Sequence, residues 1–473
     1  MKILEAVSNP IFKNVAEVAD EINQETYVVG GFVRDYLLNR GQKKDIDFVT
    51  VGNGILLAKE LAKALGNTSP VSVFKRFGTA MFKYKEIDLE FVGARKESYS
   101  EDSRKPHVED GTLEDDQKRR DFTINTLAIS MNKENFGELI DPFNGVEDLN
   151  NKIIKTPLEP NITYSDDPLR MMRAIRFAAQ LGFEIEKKSF QAIIDNAERI
   201  SIVSFERVMD EFQKIMMTEK PSVGLLLLEQ SGLMQHILPE LVALKGIEEV
   251  EGQKHKDNFY HTLEVVDNIS IHTDNVWLRW AALLHDIGKA VTKRFDKNVG
   301  WTFHSHEFVG SKMVLKLFRR LKLPLGPQVK YVQKLVMMSS RPIAVVTDDA
   351  TDSALRRLLF DAGEDFDDLI TLCKADITTK NERKQKRFKQ NFEVVEQKIK
   401  DVEERDRVRN FQPPISGEQI MEIFNIQPGK EIGILKNAIK EAILEGEVEN
   451  NYNSALEFVI NMGKDLNLEP KNI

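Results

Sequence analysis

Residues 27–50 read YVVGGFVRDYLLNRGQKKDIDFVT, and the order of features in this stretch decides the fold. Tyr27, Val28 and Val29 form an apolar run suited to a short buried strand. Gly30 and Gly31 then turn the chain into a helix carrying Arg34 and Asp35, and a second strand presents Asp45 and Asp47. Alternate residues of a strand point the same way, so the two carboxylates share one face. Adjacent anions repel unless a cation lies between them, and Mg2+ prefers one or two carboxylates together with substrate phosphates. A glycine pair lets backbone N–H groups approach a phosphate where a Cβ would obstruct it. The combination points to a nucleoside triphosphate held by its tail, with its α-phosphate against metal.

The order and spacing of Gly30-Gly31, Val33-Arg34-Asp35 and Asp45-x-Asp47 resemble the signature of polymerase-β-like nucleotidyltransferases. Within these, the string is similar to the class that contains tRNA CCA-adding enzymes and bacterial poly(A) polymerases. The resemblance implies an α+β fold: a small nucleotidyltransferase head of mixed sheet and helices (residues 1–150), an all-α neck with a nucleotide-recognition helix (151–245), an HD-type metal-binding body (246–380) and a helical RNA-binding tail (381–473).

Bulk properties agree with that size and class. At 473 residues, the chain predicts about three or four domains. Its 41% hydrophobic and 30% charged content suits a largely helical soluble protein. No apolar run approaches the roughly 20 residues of a membrane span, and Met1 to Phe12 lacks the form of a signal peptide, so a cytoplasmic location is expected, with no obligate protein partner evident. The single cysteine, Cys373, excludes an intrachain disulfide and a multi-cysteine zinc site. A net charge of -9 argues against indiscriminate coating of nucleic acid. It leaves room for one structured RNA on a local basic track, because phosphate attraction reaches only about 8 Å in physiological salt.

Around the opening stretch, helical spacing covers Asn14 to Gln24 and Ile55 to Leu65, and strand-like pieces lie near Val71 to Phe74, Thr79 to Tyr84 and Ile87 to Val92. Asp88 and Glu90 alternate onto one face of the last piece, and Glu90 falls where the resemblance places a third active-site carboxylate. That group would help hold metal or accept the proton of an attacking hydroxyl. The polar stretch from Arg95 to Gln117, interrupted by Pro106 and Gly111, predicts a mobile loop. In the following string RRDFTINTLAI, Arg119 and Arg120 can neutralise triphosphate charge, Asp121 and Asn125 can bond a ribose, and Asn125 is expected at the start of an apolar helix. Asp141 has a weaker claim to a role, through the segment Ile140-Asp141-Pro142-Phe143.

Ser165-Asp166-Asp167-Pro168-Leu169-Arg170 predicts the opening of a long helix, since proline costs nothing in a first turn. Asp167 and Arg170 stand three apart and share a face. Cytosine and adenine both show an amino donor beside a ring-nitrogen acceptor, which a carboxylate and a guanidinium can read together. Guanine and uracil invert that order and would leave a charge unpaired. The pair would thus select CTP and ATP without a template. The family's pattern usually has Glu where this chain has Asp166, a departure at a flanking position only. Arg173 and Arg176 extend the basic stripe, while Leu169, Met172 and Phe177 are expected in the core.

His255, His261, His285, His304 and His306 are five of the eight histidines in the chain. His261, His285-Asp286 and Asp376 match the ligand set of the HD phosphohydrolase superfamily, and His285-Asp286-Ile287-Gly288 is the form that names one branch. The resemblance implies a second divalent ion, Mn2+, Ni2+ or Mg2+, with His306 as an extra ligand or phosphate contact. Such a site could work as a phosphatase or 2',3'-cyclic phosphodiesterase on RNA ends. The basic run KNERKQKRFK (380–389) offers a phosphate track, Gln412-Pro413-Pro414 a linker, and the remainder a small helical module like the tail that grips tRNA in HD-containing CCA-adding enzymes. The favoured expectation is template-independent addition of CMP and AMP to the 3' end of tRNA. Alternatives are a poly(A) polymerase, a CC-only or A-only enzyme, and, from another class, an HD phosphohydrolase with a non-catalytic RNA-binding head.

Overall fold

The computed structural model describes residues 3–41, 44–75, 78–100, 103–250, 252–254, 257–347, 351–379, 381–406 and 412–471. The chain forms an α+β protein of two compact units, residues 1–239 and 240–473. His255 and Lys380, both singled out from the sequence, lie outside the described residues.

The first unit is organised on a seven-stranded sheet in the order β3-β4-β5-β2-β1-β8-β9. Its strands are β1 (Glu25–Val29), β2 (Asp45–Val51), β3 (Ser72–Phe74), β4 (Thr79–Tyr84), β5 (Ile87–Gly93), β8 (Ala128–Ser130) and β9 (Leu139–Ile140). Strand β2 runs antiparallel to β1 and parallel to β5, in a register that sets Asp45 beside Asp88 and Asp47 beside Glu90. Ile46 and Phe48, between and after the acids, turn to the opposite face and are buried. There Phe48 stacks on Phe91 at 5.0 Å between ring centroids, and Phe82, Phe12 and Phe32 continue the cluster. An alternating strand thus buries one side in aromatic packing and leaves a row of carboxylates on the other.

Helix α1 (Pro10–Glu21) starts earlier than the apolar spacing predicts because Asn9 caps it, its side chain accepting from Ile11 N at 3.0 Å, with Pro10 in the first turn. Helices α2 (Gly31–Leu37) and α3 (Gly54–Ala64) follow their predicted positions.

Two expectations are corrected. The stretch from Arg95 to Gln117 is not an unstructured loop: it forms a hairpin, β6 (Arg95–Ser100) against β7 (Ser103–Asp110), and then α4 (Leu113–Lys118), opened by a reciprocal Thr112/Asp115 capping box. Pro106 is compatible with this two-stranded ribbon because each strand has an outer edge that needs no ladder donor. Gly111 is required rather than disruptive, since a Cβ there would lie 2.8 Å from the backbone of Arg95 and Lys96. Asn125 does not open a helix either. Thr123–Asn125 is a single 3-10 turn and the apolar run after it is β8, because pairing with the centre of the sheet outweighs local helical spacing.

Helices α5 (Gly145–Asn151), α6 (Pro160–Asp166), α7 (Leu169–Leu181), α8 (Lys187–Asn196), α9 (Phe205–Met216) and α10 (Pro221–Gln230) follow the sheet in this unit. Asp167 lies at the break between α6 and α7, and α7 ends on Gly182 in the left-handed region. Leu169, Met172 and Phe177 are buried as expected.

The second unit is mainly helical. Helices Asn258–Ser270, Val276–Leu284 and Phe366–Asp376 pack together, with Trp280 and Phe259 fully buried. The basic run lies on one continuous helix, Glu382–Asp406, and residues 381–387 are exposed. The last three helices are Gly417–Phe424, Lys430–Glu445 and Tyr452–Asp465. Among the described residues no helix is long and apolar enough to cross a membrane.

Phe91 carries the packing beneath the acidic face, so Phe91→Ala is expected to cost about 3–5 kcal/mol. The measurement is the urea midpoint of the first unit's unfolding, followed by circular dichroism.

Candidate functional site

Asp45 and Asp47 project from β2 on the exposed side of the sheet, and Glu90 stands beside Asp47 on β5. Burial raises the Glu90 carboxyl above its usual range and the charge of Asp47 raises it further, against the opposing pull of Arg95. A carboxyl pushed upward beside a like charge is the electrostatic mark of a place that prefers a cation or a proton.

Next to Asp47 opens a cavity of about 840 Å³, lined by Gly30, Gly31, Arg34, Arg119, Arg120, Asp121, Asn125, Asp167, Arg170, Arg173 and Arg176. All of the nucleotide-binding residues expected from the sequence therefore meet in one hollow. Gly30 has φ +71°, and a Cβ on it would lie 3.1 Å from the Arg120 guanidinium, so both the turn and the close approach call for glycine.

The arginines are braced before any ligand arrives. Asp116, fully buried, pairs with Arg119 and with Arg120, the latter at 2.9 Å, and these charges hold its carboxyl below the ordinary range despite the upward push of burial. Arg120 also donates to the Asn125 carbonyl at 3.3 Å. Arg34 donates to the side chain of Asn125 at 2.8 Å, Asn125 donates to Asp121 at 2.9 Å, and Arg173 donates to the other Asp121 oxygen at 2.7 Å. Arg170 reaches the Arg119 carbonyl at 2.6 Å. Arg170 and Arg173 thus tie α7 to the RRD segment. Asp121, read from the sequence as a ribose contact, has both oxygens engaged within the protein. Burial alone would raise its pKa, but Arg173, the Asn125 hydrogen bond and Arg170 hold it at about 2.

Phe177 lies under three guanidinium groups, those of Arg176, Arg34 and Arg173 at 4.2, 4.8 and 5.5 Å from its centroid. A π face is a favourable neighbour for crowded cations. Arg176 is further paired with buried Glu211 of α9 at 2.8 Å, and Lys214 approaches the other Glu211 oxygen at 3.3 Å. Sequence reasoning missed Asp116 and Glu211. Asp116 was legible, being three and four residues before the two arginines, a spacing that pairs charges on a helix. Glu211, 35 residues beyond Arg176, carries no local signal.

In the second unit His261, His285 and Asp286 cluster, all buried, with their donor atoms within 4.8 Å of one another. Asp376 Oδ1 lies 2.8 Å from His261 Nε2 and 3.4 Å from His285 Nε2. The Nδ1 atoms face outward: His285 donates to the Ala282 carbonyl at 2.7 Å, His306 to Phe303 at 2.9 Å, and His261 meets the Thr378 hydroxyl at 3.0 Å. Their Nε2 atoms consequently point at the carboxylates, and His306 Nε2 is 3.4 Å from Asp286 Oδ1. His285 Nε2 is buried without a hydrogen bond of good geometry. Imidazoles fixed through one nitrogen, with the other turned to two carboxylates, fit a divalent cation. Lys289, one turn after Asp286, reaches its Oδ2 at 2.6 Å. Burial opposes charge on His285 and on both acids, yet the mutual attraction wins. His285 is raised to about 10, and Asp286 and Asp376 are held below their ordinary values.

A mixed sheet bearing an acidic row, a glycine turn and an arginine cradle define a nucleotidyltransferase head. Comparison with known proteins agrees. Residues 26–155 match the poly A polymerase head domain, 182–244 the probable RNA- and SrmB-binding site of polymerase A, and 258–362 the HD domain. An A-adding tRNA nucleotidyltransferase of Deinococcus radiodurans is 32% identical over 352 residues, 71% of this chain and 76% of that protein. A multifunctional CCA protein of Aliivibrio salmonicida is 34% identical over 313 residues, 63% of this chain and 71% of that one. An A-adding tRNA nucleotidyltransferase of Aquifex aeolicus is 47% identical over 164 residues, 34% of this chain, but the match spans only 19% of its own length. The fold matches the Bacillus stearothermophilus CCA-adding enzyme in complex with CTP, at 23% identity and a TM-score of 0.67 over 96% of this chain and 97% of that one. The chain belongs to the tRNA nucleotidyltransferase family, which shares its head with poly(A) polymerases.

Asp121→Asn removes the charge that holds Arg173 and is expected to cost about 1–3 kcal/mol at neutral pH. Because the native carboxyl titrates at about 2 and an unfolded one near 3.9, the Asp121 contribution is complete above roughly pH 4 and is lost as pH falls through 2. Thermal melts of both proteins between pH 7 and 2 should show the gap narrowing in that window.

Proposed function

We propose that the protein adds CMP and AMP to the 3' end of tRNA in the cytoplasm, without a template. The observation that supports this most is the single hollow that gathers Asp47, the glycine turn, the braced arginines and the Asp167/Arg170 pair. Arg119 and Arg120 take the triphosphate, and Gly30 and Gly31 allow it to lie close to the backbone. Asp167 and Arg170 read the base edge shared by cytosine and adenine, while the Asp121–Arg173 and Arg170–Arg119 ties hold the reading helix in register with the phosphates. The primer's 3' oxygen bonds to the α-phosphorus, the bond to the β-phosphate oxygen breaks, and diphosphate leaves with that electron pair. Glu90 is the acceptor for the hydroxyl proton. Asp45 and Asp47 would hold Mg2+, which when bound neutralises charge at the α-phosphate.

In the second unit His261, His285, Asp286 and Asp376 would hold a second divalent cation, Mn2+, Ni2+ or Mg2+, which when bound can polarise water against a phosphate ester. Their arrangement supports phosphohydrolase activity on RNA ends. Since relatives named as A-adding enzymes stand beside CCA-adding ones, an A-only specificity is the second reading.

Purified protein with Mg2+ is given tRNA ending before CCA and tRNA ending in CC, with CTP and ATP separately and together. A CCA-adding enzyme extends the first RNA with CTP, completes CCA with both nucleotides, and stops. An A-only enzyme acts on the second RNA alone, and ATP-driven extension without a stop identifies a poly(A) polymerase. Asp47→Ala should abolish transfer while sparing phosphate release, and Asp286→Ala should do the reverse. Arg170→Ala should reduce discrimination against UTP and GTP by about tenfold or more, read as the ratio of kcat/KM values.

A further inference from the structure

Nucleotidyl transfer needs two substrates to converge on Asp45, Asp47 and Glu90, and the sheet offers a second hollow for the second one. A cleft of about 320 Å³ is lined by Phe74, Thr79, Glu90, Val92, Arg95 and Arg119. That volume lies within the roughly 300–1,000 Å³ typical of small-ligand sites. The large cavity contains Asp47, the small one contains Glu90, its register partner, and Arg119 lines both. The two acids of this register pair thus line different hollows, with Arg119 common to both.

The register fixes what else shares this face. Phe74 pairs with Thr79, and Thr79 with Val92, so these three form one row across β3, β4 and β5. Glu90 is two residues before Val92, on the same side of β5, and beside it is Asp47. The acidic row and the Phe74 row thus belong to one surface. Phe74 stands two strand spacings from β5, roughly 10 Å away, and is 47% exposed. A half-exposed aromatic ring beside two arginines has the composition of a stacking platform for a single-stranded base with its phosphates.

We propose that this cleft holds the 3'-terminal nucleotide of the RNA primer, with its base on the Phe74 ring, its phosphate toward Arg95 and Arg119, and its 3'-hydroxyl toward Glu90. The inference rests on the transfer activity proposed above and names the subsite for the second substrate.

Steady-state kinetics of wild type, Phe74→Ala and Phe74→Trp on tRNA lacking its last nucleotide, with ATP varied separately, test it. Loss of one stacked base is expected to raise the primer KM roughly 5- to 150-fold, leave the ATP KM within twofold, and be reversed by tryptophan. Direct binding of a primer ending in 2-aminopurine, without nucleotide, should quench its fluorescence in wild type and Phe74→Trp but not in Phe74→Ala. A primer KM and quenching unchanged in Phe74→Ala, or a rise confined to the ATP KM, overturns the subsite and leaves the transfer reading standing. Wild-type protein that extends no RNA overturns both.

Discussion

The repulsion between carboxylates on neighbouring strands is the constraint on which the first unit turns. The β2/β5 register sets Asp45 beside Asp88 and Asp47 beside Glu90, with the Phe48–Phe91 stack on the opposite face. The cost falls on Glu90, whose carboxyl burial and the Asp47 charge raise above its usual range. Arg95 offsets part of that repulsion, drawing the Glu90 carboxyl back down. The aromatic core and the acidic face are two consequences of one alternation.

The arginine cluster has the opposite difficulty, and its solution is internal. Asp116, Asp121 and Glu211 neutralise Arg119, Arg120, Arg173 and Arg176, and the Phe177 ring packs against the guanidinium groups of Arg34, Arg173 and Arg176. Preorganised cations cost little rearrangement when a triphosphate arrives. The acids behind the arginines therefore matter as much as the cations, though none of them need touch a nucleotide.

Much of this was legible in the chain. Gly30-Gly31, Asp45-x-Asp47 and His285-Asp286 announce themselves because each is a short local pattern with a chemical reason for its spacing. The helix over Ile55 to Leu65 followed from apolar periodicity. The failures share a physical cause, which is dependence on partners far away in sequence. The strand Ala128–Ser130 forms because β1 offers it a ladder, and the hairpin after Arg95 forms because two polar segments pair with each other, neither of which a window of eleven residues can register. Glu211 is invisible for the same reason, as is the bond from Arg173 to Asp121, 52 residues apart in sequence.

The central place of β1 carries a consequence for biosynthesis. It is clasped on one side by β2 and on the other by β8, and β2 in turn waits for β5, its parallel neighbour. A nascent chain that has emerged only through Asp47 owns the aspartates but not the scaffold that aims them. Until the ribosome has delivered the chain through Ile140, the last strand of the sheet is missing. The acidic row is thus set in register only after its neighbours on both sides have been made.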